Sequence, residues 1–400
     1  MSEWKTYRLG DICTFVAGFA FKSKDFGNYP DKVIKIADIQ PPIVDMSSLT
    51  GIDISQYSSQ KLEKYKTEKG DYVLAMTGAT IGKLGRIVSE KKAYINQRVL
   101  LFKPIDKYID KNYLYYYLCQ NTFFSHIRNH IDSETAQPNI SANSIGEFTL
   151  TLPSLDEQRR IAGILGSLDD KIELNQRINA NLEAQAQALF RSWFVDFEPF
   201  RNGPFVDSEL GKIPQGWKVG NLSEVADITM GQSPKGSSYN EEGDGIIFYQ
   251  GRAEFGNRFP SIRLYTTEPT RIAEINSVLL SVRAPVGDIN IAKNTCCIGR
   301  GLAAIKSKHG CNSFILYLLQ SLKPLLEQYN GEGTVFGCIN RKEIEGLSII
   351  IPKESVINEF EEIVEKIDSE IKNLTIEQEN LSALRDTLLP KLMAGEIAIE

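Results

Sequence analysis

A long heptad pattern that occurs twice constrains this chain more than any other feature. In the first copy, apolar residues and two asparagines recur at alternating steps of four and three residues: Ile161, Leu165, Leu168, Ile172, Asn175, Asn179, Leu182, Ala186, Leu189 and Trp193. Such spacing places all of these side chains on one face of an α-helix. The pattern therefore predicts a long helix with a narrow apolar stripe that must pack against a partner.

The second copy of the pattern lies 199 residues further along the chain. It occupies Phe360, Val364, Ile367, Ile371, Leu374, Gln378, Leu381, Arg385, Leu388 and Leu392. Two similar helices that end two similar halves of a chain are most simply paired about a pseudo-twofold axis, which makes them antiparallel. We therefore predict an antiparallel coiled coil whose polar seam residues fix its register, with one globular half at each end.

The segments before the two helices are also related. Trp4 and Leu9 match Trp217 and Leu222, and nearer the helices the spacing is again 199 residues, with Thr135, Ile140, Ile145 and Pro153 recurring as Thr334, Ile339, Ile344 and Pro352. A repeat of this length is too long for a solenoid and indicates duplication of a whole lobe. We predict an α+β fold of two similar α/β lobes, residues 1–152 and 200–351, followed by helices over residues 153–199 and 352–400.

Two local predictions concern the first lobe. Residues 93–102 are rich in β-branched and apolar residues and read as one strand that carries Asn96, Gln97 and Arg98. Residues 112–128 read as one helix, and its many aromatic side chains are expected in the core rather than on a base-stacking surface.

Charge is distributed unevenly over the 400 residues, whose formal net charge is −6. Residues 154–198 carry 5 basic and 8 acidic side chains, residues 353–400 carry 5 and 12, and the remainder carries 35 and 31. The helices are therefore acidic and the lobes mildly basic. This distribution is compatible with a nucleic-acid partner for the lobes, and equally with ordinary solvated surfaces.

Several classes of protein are excluded by what the sequence lacks. No apolar run is long enough to cross a membrane and the N-terminus has no signal-peptide core, so we expect a cytoplasmic protein. The six cysteines form no CxxC pair and only three histidines accompany them, which predicts reduced thiols and no metal site. The turn over residues 77–83 has one residue too few between its glycines for a phosphate-binding loop, and Leu84 stands where Ser or Thr is required.

Differences between the lobes fall mainly in loops. Gly18–Ser23 corresponds to Gly231–Lys235, Gly78-Ala79-Thr80 to Arg283-Ala284-Pro285, and Gln97-Arg98 to Arg300-Gly301. The frame is kept while the hydrogen-bonding side chains change, as a bipartite reader of base edges would require. Ordinary loop divergence after duplication explains the same differences, so both interpretations stay open at this point.

Over its whole length the chain resembles the specificity subunit of type I restriction-modification systems. The resemblance rests on short motifs in a fixed order: Ala20-Phe21-Lys22-Ser23, the turn Thr77 to Gly82, Thr135 to Ser141, Leu152-Pro153 with Glu157-Gln158, Trp193 to Pro199, Ser208 to Gly211 and Ile213 to Trp217. The second copy departs from the pattern, since Pro352-Lys353-Glu354 lacks the Glu-Gln pair and Gly337-Cys338 replaces Pro138-Asn139.

This resemblance implies a DNA reader without an active site, cofactor or metal of its own. Each lobe would be a target-recognition domain for one half of a bipartite site in double-stranded DNA. The coiled coil would fix the spacing and dock two methyltransferase subunits, and restriction/translocase subunits would join the full complex. A helix of about 40 residues spans roughly 60 Å, against about 34–36 Å for one turn of DNA, so tilted and overlapped helices could separate half-sites by about one turn.

Candidate DNA-binding residues are polar side chains in the loops that differ between the lobes. They are Lys22, Ser23, Thr77, Lys83, Gln97, Arg98, Gln137 and Asn139 in the first lobe, and Lys235, Arg252, Arg283, Arg300 and Thr334 in the second. Two other functions remain as alternatives. An enzyme is disfavoured because Gln40-Pro41-Pro42-Ile43 differs at both ends from a methyltransferase tetrad, and no nucleophile with a base is evident. A symmetric coiled-coil adaptor that never touches DNA would explain the helices equally well.

Overall fold

A computed structural model describes residues 4–132, 138–331 and 337–397. The chain forms two compact units, one comprising the residues up to Leu174 together with those from Glu377 onward, the other comprising Asn175–Ile376. Each unit thus holds one lobe and about half of each long helix.

The first unit begins with an α/β lobe. Its strands are β1 (Lys5–Arg8), β2 (Cys13–Ala17), β3 (Phe26–Ile34), β4 (Ile39–Gln40), β5 (Ile43–Val44), β6 (Thr50–Ile52), β7 (Tyr72–Ala75), β8 (Leu84–Arg86), β9 (Tyr94–Ile95), β10 (Val99–Pro104) and β11 (Thr149–Leu152). Its helices are α1 (Leu9–Ile12), α2 (Ser59–Leu62), α3 (Lys111–Leu118), α4 (Asn121–Asn129), α5 (Ala142–Gly146) and the long α6 (Leu155–Phe194), which continues into the second unit.

The second unit has a related set of elements. Its strands are β12 (Phe205–Ser208), β13 (Gly211–Pro214), β14 (Lys218–Asn221), β15 (Ala226–Met230), β16 (Tyr239–Asn240), β17 (Ile246–Tyr249), β18 (Leu264–Thr266), β19 (Ile272–Ala273), β20 (Val278–Ser281), β21 (Ile289–Ile291), β22 (Cys296–Ile298), β23 (Leu302–Ser307) and β24 (Ser348–Ile351). Its helices are α7 (Leu222–Val225), α8 (Asn312–Ser321), α9 (Lys323–Glu327), α10 (Arg341–Glu345) and the long α11 (Glu354–Met393), which returns to the first unit.

The two lobes share one sheet topology, which confirms the predicted internal repeat. The order β2-β10-β7-β8 in the first lobe corresponds to β15-β23-β20-β21 in the second, and all of these pairs are antiparallel. In both lobes the first strand pairs with the last strand before the long helix, β1 with β11 and β14 with β24. The outer sheets differ: the first lobe has the three-stranded order β6-β3-β9 and the second lobe has the five-stranded order β16-β18-β17-β22-β19. Each nevertheless contains one parallel pair, β3 with β9 and β17 with β22.

The long helices have the predicted apolar faces and end a few residues before the predicted ranges do, at Phe194 and Met393. Both contain 40 residues, and they begin at Leu155 and Glu354, which are 199 positions apart. Every predicted seam residue is buried or half-buried, and Leu165, Asn175, Phe360 and Val364 are fully buried. The narrow apolar stripe is therefore covered along its whole length in both copies.

Within each unit the two helix segments run antiparallel, as predicted. In the first unit Lys171 of α6 pairs with Glu377 of α11 at 3.5 Å, and Asp169 pairs with Arg385 at 2.8 Å, so the earlier α6 residue meets the later α11 residue. In the second unit Asn179 Nδ2 donates to Thr375 Oγ1 at 3.2 Å. Asn179 and Arg385 thus make direct polar contacts between the helices, consistent with a role in fixing the register.

Apolar packing attaches each lobe to the adjacent helix segments. In the first unit Ile161 and Leu165 of α6 and Leu392 of α11 share a cluster with the buried face of α3. In the second unit Phe190 and Phe194 of α6 pack against Phe314 of α8, and both also pack edge-on against Phe360 of α11. Since truncating a buried Phe to Ala typically costs about 3–5 kcal/mol, these contacts supply much of the attachment.

The Glu-Gln pair of the sequence motif has a structural explanation. Gln158, which is 1% exposed, accepts a hydrogen bond from the backbone N–H of Asp110 and donates to the carbonyl of Pro153, so it joins the start of α6 to the start of α3. The second unit lacks this glutamine and uses Glu361 of α11, whose carboxylate accepts from the N–H groups of Ser313 and Phe314 at the start of α8. Burial raises the pKa of Glu361.

Two local predictions in the first lobe were wrong. Residues 96–98 form a turn between β9 and β10, closed by a hydrogen bond from the N–H of Val99 to the carbonyl of Asn96. The aromatic segment is split at Cys119 and Gln120 into α3 and α4. The N–H of Cys119 donates to Tyr115 and Tyr116 and that of Gln120 donates to Tyr117, so α3 closes in a tightened final turn. Its aromatic residues do lie in the core, and Tyr113, Tyr116 and Phe123 are at most 2% exposed. No helix of the described ranges has both the length and the apolar character needed to cross a bilayer.

Candidate nucleic-acid interface

One edge of the first lobe brings together loops from distant parts of the sequence. Strands β2 and β7 end there, at Ala17 and Ala75, and β10 begins there, because Ala17 pairs with Leu100 and Ala75 with Val99. We call this the loop edge of the first lobe and define it by four segments: residues 18–19, 76–78, 96–98 and 138–140.

Backbone hydrogen bonds hold these segments in a fixed order. The N–H of Met76 donates to the carbonyl of Arg98 at 3.0 Å, the N–H of Gly78 donates to Pro138, and Ile140 donates back to Met76. The segment after β7 is therefore sandwiched between the turn at 96–98 and the segment at 138–140. This arrangement places Arg98 and Asn139 on either side of Thr77.

The second lobe has the same loop edge, which we define by residues 231–232, 282–284, 299–301 and 337–339. The N–H of Val282 donates to Gly301 at 2.9 Å, Ala284 donates to Gly337 at 3.0 Å, and Ile339 donates to Val282 at 3.1 Å. Each bond has its counterpart in the first lobe. Equivalent positions follow directly from them: Thr77 with Arg283, Gln97 with Arg300, Arg98 with Gly301 and Asn139 with Cys338. The sequence alignment of Gly78 with Arg283 was therefore wrong by one residue, since Gly78 corresponds to Ala284.

Glycine is required where the first segment of each edge approaches the turn beside it. A Cβ atom on Gly18 would lie 2.0 Å from the carbonyl oxygen of Asn96, and one on Gly231 would lie 2.1 Å from that of Gly299. No larger residue fits without moving the backbone. The two glycines therefore bring the following loops, which carry Lys22 and Lys235, close to the turns that carry Arg98 and Arg300.

All seven candidate cations are exposed, and five of them form no ion pair with any residue that the structure describes. They are Lys22, Lys83 and Arg98 in the first lobe and Arg283 and Arg300 in the second. Because a cation without a partner retains its full charge for a ligand, these side chains are the ones best placed to contact phosphate or a base edge.

Other candidates are already engaged. Arg252 Nε donates to Asp288 at 2.7 Å, and Lys235 lies 3.6 Å from Glu268. Thr77 is only 4% exposed, so it supports the edge from within. Asn139 is half-buried, whereas Ser23 and Gln97 are exposed.

Gln137 and Thr334 lie outside the described residues. Both precede described segments that are equivalent in the two lobes, Pro138–Ile140 and Gly337–Ile339.

An open groove of about 660 Å³ follows the loop edge of the second lobe. Arg283 and Arg300 line it together with Cys338, which is exposed. From the sequence alone, Cys338 stood out only because it replaces Asn139 of the first lobe. Its position beside the two arginines depends on backbone pairing between segments more than 50 residues apart, which no local pattern reveals.

The structure also adds an aromatic cluster that sequence reasoning missed in the first lobe. Phe19 and Phe21 pack against Tyr57 with ring centroids 5.3 and 5.5 Å away, and Lys61 Nζ lies 5.7 Å from the ring of Phe19. Tyr57 donates to the carboxylate of Asp25, a hydrogen bond that raises the pKa of the Tyr57 hydroxyl. The backbone N–H of Lys22 in turn donates to Tyr57, so this cluster fixes the loop that presents Lys22.

Three of the thiols are poor nucleophiles. Burial raises the pKa of Cys13, Cys119 and Cys296 to about 12, so they remain protonated at neutral pH. Across the ranges 4–132, 138–331 and 337–397, no group of three or more His, Cys, Asp and Glu side chains is arranged to hold a metal ion.

Comparison with known proteins agrees with this geometry. A family model described as the type I restriction modification DNA specificity domain matches residues 1–184 and again residues 214–385. A protein of Methanocaldococcus jannaschii assigned by name as the type I restriction enzyme MjaX specificity subunit is 33% identical over 413 residues, which cover 100% of this chain and 94% of that protein. The HindI specificity subunit of Haemophilus influenzae is 24% identical over 470 residues, with 99% of this chain and 100% of the relative covered.

A solved structure shows the same fold. The S subunit of a type I restriction-modification system from M. genitalium superposes with a TM-score of 0.62 at 17% identity, covering 97% of this chain and 96% of that one. The family model matches once in each half of the chain, in line with the duplicated lobes and helices. The chain therefore belongs to the family of type I restriction-modification DNA specificity subunits.

Proposed function

We propose that this chain is the DNA sequence-recognition subunit of a type I restriction-modification complex and that each lobe reads one half of a bipartite target. The observation that carries the proposal is the pair of loop edges. Their backbones are held by equivalent hydrogen bonds, while Thr77, Gln97, Arg98 and Asn139 in one lobe are replaced by Arg283, Arg300, Gly301 and Cys338 in the other. A constant frame with changed donors and acceptors suits two different half-sites.

The chemistry of the exposed side chains supports base reading in the major groove. Arginine pairs in bidentate fashion with guanine and glutamine with adenine, and each good pair discriminates by about 1–3 kcal/mol. On the first edge, Arg98 and Gln97 could serve these roles, whereas the second edge offers Arg283 and Arg300. Lys22 and Lys83 suit phosphate contacts, which position a lobe without specifying a base.

We assign the long helices to spacing and docking. Two helices with a continuous covered seam resist bending better than a flexible linker, so they suit a fixed gap between half-sites. The helical stretches are acidic, with 8 acidic against 5 basic residues in one and 12 against 5 in the other, so they do not attract phosphate. Two methyltransferase subunits would bind there, and restriction/translocase subunits would complete the assembly.

This role needs no active site in the chain itself. The methyltransferase subunits would supply the adenine-modifying chemistry, and the chain would select where it occurs. We place the complex in the cytoplasm, where chromosomal and incoming DNA are both accessible.

Exchange of one lobe tests the proposal directly. Residues 200–351 are replaced by the corresponding lobe of a relative with a different target, and the chimera is expressed with the methyltransferase subunits in a host that lacks other adenine methylation. Methylated adenines are then located by single-molecule sequencing. We expect one half of the methylated site to change and the other half to stay the same.

The reciprocal exchange of residues 1–152 is the matched control and should change the opposite half. If methylation continues at an unaltered target after both exchanges, the lobes do not read DNA. The chain would then act as a coiled-coil adaptor for its partners.

A further inference from the structure

A polar cluster joins the lobe to both helix segments in each unit, and the two clusters share a core that the duplication preserved. In the first unit Tyr116 of α3 donates to Asp169 of α6 at 2.7 Å. In the second unit Tyr317 of α8 donates to Asp368 of α11 at 2.8 Å. Each tyrosine is the sixth residue of its helix, and the two aspartates are 199 positions apart.

The arginine that neutralises the aspartate comes from a different part of the chain in each unit. In the first unit it is Arg385 of α11, whose guanidinium lies 2.8 Å from Asp169. The position equivalent to Arg385 in the second unit is Ala186, which is fully buried and offers no charge. There Arg258, from the loop before β18, reaches Asp368 at 2.5 Å and also pairs with Glu183 of α6.

The result is the same set of connections built in two ways. In the first unit a lobe tyrosine, an α6 carboxylate and an α11 arginine meet at one point. In the second unit a lobe tyrosine and a lobe arginine meet carboxylates of both helices, and Gln320 adds a hydrogen bond of 3.0 Å to Glu183. Each cluster joins its lobe to both long helices, although the arginines of the two clusters are unrelated by duplication.

Both clusters are largely buried, and their hydrogen bonds make them directional. Tyr116 and Tyr317 are at most 2% exposed, and the side chains of Arg385 and Arg258 are 23% and 11% exposed. Apolar packing beside them is non-directional and permits sliding, since its free energy follows the area removed from water. Hydrogen bonds between charged groups need defined distances and angles, so a cluster of this kind allows one orientation.

We propose that these clusters are orientation locks: Tyr116, Asp169 and Arg385 in the first unit, and Tyr317, Asp368, Arg258 and Glu183 in the second, are positioning residues that set the angle of each lobe on the helix pair. The inference rests on the proposed function and deepens it. The locks determine how strictly the gap between half-sites is enforced, whereas the loop edges determine which bases are read.

A fixed lobe angle makes the complex sensitive to gap length because of the geometry of DNA. Changing the gap by one base pair rotates one half-site by about 34–36° about the DNA axis and shifts it by about 3.4 Å. A lobe held at one angle cannot follow that rotation, so a wrong gap must be accommodated by deforming the DNA. A first lobe without its lock keeps the hydrogen bonds of Gln158 at the start of α6, but it loses its second polar anchor, so it can pivot about the first and accept the neighbouring gap.

The test separates orientation from stability by comparing single and combined substitutions. Arg385→Met alone leaves Asp169 partly buried without its inter-helix partner and should destabilise the protein. The set Arg385→Met, Asp169→Leu and Tyr116→Phe removes every polar member of the first lock and replaces it with apolar groups of similar volume. Such replacement of a buried ionic cluster is often neutral for stability, so this variant should fold while lacking the lock.

The complex of each variant with its methyltransferase subunits is assayed on duplexes that keep both half-sites and differ only in gap length. For the wild type we expect one preferred gap. For the combined variant, the ratio of rates between the preferred gap and a gap one base pair longer or shorter should fall by roughly tenfold, equivalent to about 1.4 kcal/mol. The half-site sequences should not change.

Controls distinguish this result from general damage. Lys92→Gln with Glu68→Gln removes an exposed ion pair of the same lobe, 2.7 Å long and remote from the helices in sequence, and should leave the gap profile unchanged. If the combined variant unfolds, Tyr116→Phe alone removes one hydroxyl while the Arg385–Asp169 pair stays, and it should broaden the profile to a smaller extent.

A folded lock variant with the wild-type gap profile overturns the inference and leaves the proposed function standing. If the wild-type complex itself shows no preferred bipartite target, the proposed function fails instead. The two failures are therefore distinguishable in one experiment.

Discussion

Removing one heptad from each long helix should shorten the preferred gap between half-sites. We choose residues 173–179 in α6 and residues 372–378 in α11, which are 199 positions apart. The deletions remove the polar seam residues Asn175, Asn179 and Gln378, together with Thr375, the partner of Asn179. They leave Ile172 followed by Leu182 and Ile371 followed by Leu381, so the alternation of four and three steps continues without interruption.

The expected size of the effect follows from helix geometry. Seven residues at about 1.5 Å each shorten the helix by about 10 Å, which corresponds to about 3 base pairs of DNA at about 3.4 Å per pair. A whole heptad keeps the apolar stripe on the same face, so each lobe keeps its orientation on its helix segment. Three base pairs nevertheless rotate a half-site by about 100° about the DNA axis, so we expect a shorter optimum with reduced affinity.

Methylation by the reconstituted complex on a gap-length series measures this shift. The wild-type half-sites are kept and the gap is varied one base pair at a time over a full DNA turn. A length-preserving variant, Asn179→Leu with Gln378→Leu, is the control, because it removes polar seam residues without shortening the helices. It should keep the wild-type gap.

The reasoning is refuted if the deletion variant folds, assembles and retains the wild-type gap. A change in either half-site would also refute it, since helix length would then affect base reading and not only spacing.

Other predictions concern single residues and the isolated chain. Arg98→Ala should relax specificity at one position of one half-site and cost about 1–3 kcal/mol of binding free energy there. Lys22→Ala should instead weaken binding to all DNA sequences alike and reduce the slope of log K against log salt by about 0.9. Binding titrations at several salt concentrations distinguish the two. Gly18→Ala should impair the first half-site only, because its Cβ would lie 2.0 Å from the Asn96 oxygen, and methylation of targets altered in either half shows which half is affected. Asp71 is 1% exposed and bonded to Lys103 at 2.9 Å and Lys111 at 2.6 Å, so Asp71→Asn should lower the free energy of unfolding by roughly 3 kcal/mol in urea titrations near neutral pH. Burial acts to raise the pKa of Asp71, but hydrogen bonds from the two lysines outweigh it and lower the pKa below its ordinary value of 3.8. The stabilisation is therefore present above pH 3.8 and is lost as the pH falls through the lowered pKa. If wild type and variant differed in free energy of unfolding by the same amount at pH 7 and pH 2, this assignment would be wrong. The purified chain alone should bind DNA more weakly than the complex and should not bind S-adenosylmethionine tightly; tight binding in calorimetry would indicate an active site of its own.

Much of the fold could be predicted because its signals are periodic. The alternation from Ile161 to Trp193 and from Phe360 to Leu392 depends only on the helical repeat of 3.6 residues, and burial along both stripes confirms it. The antiparallel pairing followed from the order of two similar halves. By contrast, the turn at residues 96–98 interrupts a segment with strong β propensity, because the N–H of Val99 bonds to Asn96 instead of continuing a ladder.

The candidate site could be predicted only in part. Exposed cations such as Lys22, Arg98 and Arg300 were identified from loop differences alone. The alignment of Gln97 with Arg300 and of Asn139 with Cys338 was made from the sequence, and equivalent backbone hydrogen bonds confirm it. Only those hydrogen bonds showed that Arg283 corresponds to Thr77 and not to Gly78. The aromatic cluster of Phe19, Phe21 and Tyr57 was missed, since its members come from loops more than 30 residues apart.

By itself the sequence determined that this protein has two related lobes and two long helices that pack along a covered seam, since periodicity and duplication are properties of residue order. Only the tertiary structure decided which side chains meet. Asp169 and Asp368 are equivalent in the sequence, yet one pairs with Arg385 from a helix and the other with Arg258 from a lobe. A buried charge must be neutralised, but any cation whose side chain reaches it will serve, so the partner is chosen by proximity in space and leaves no pattern along the chain.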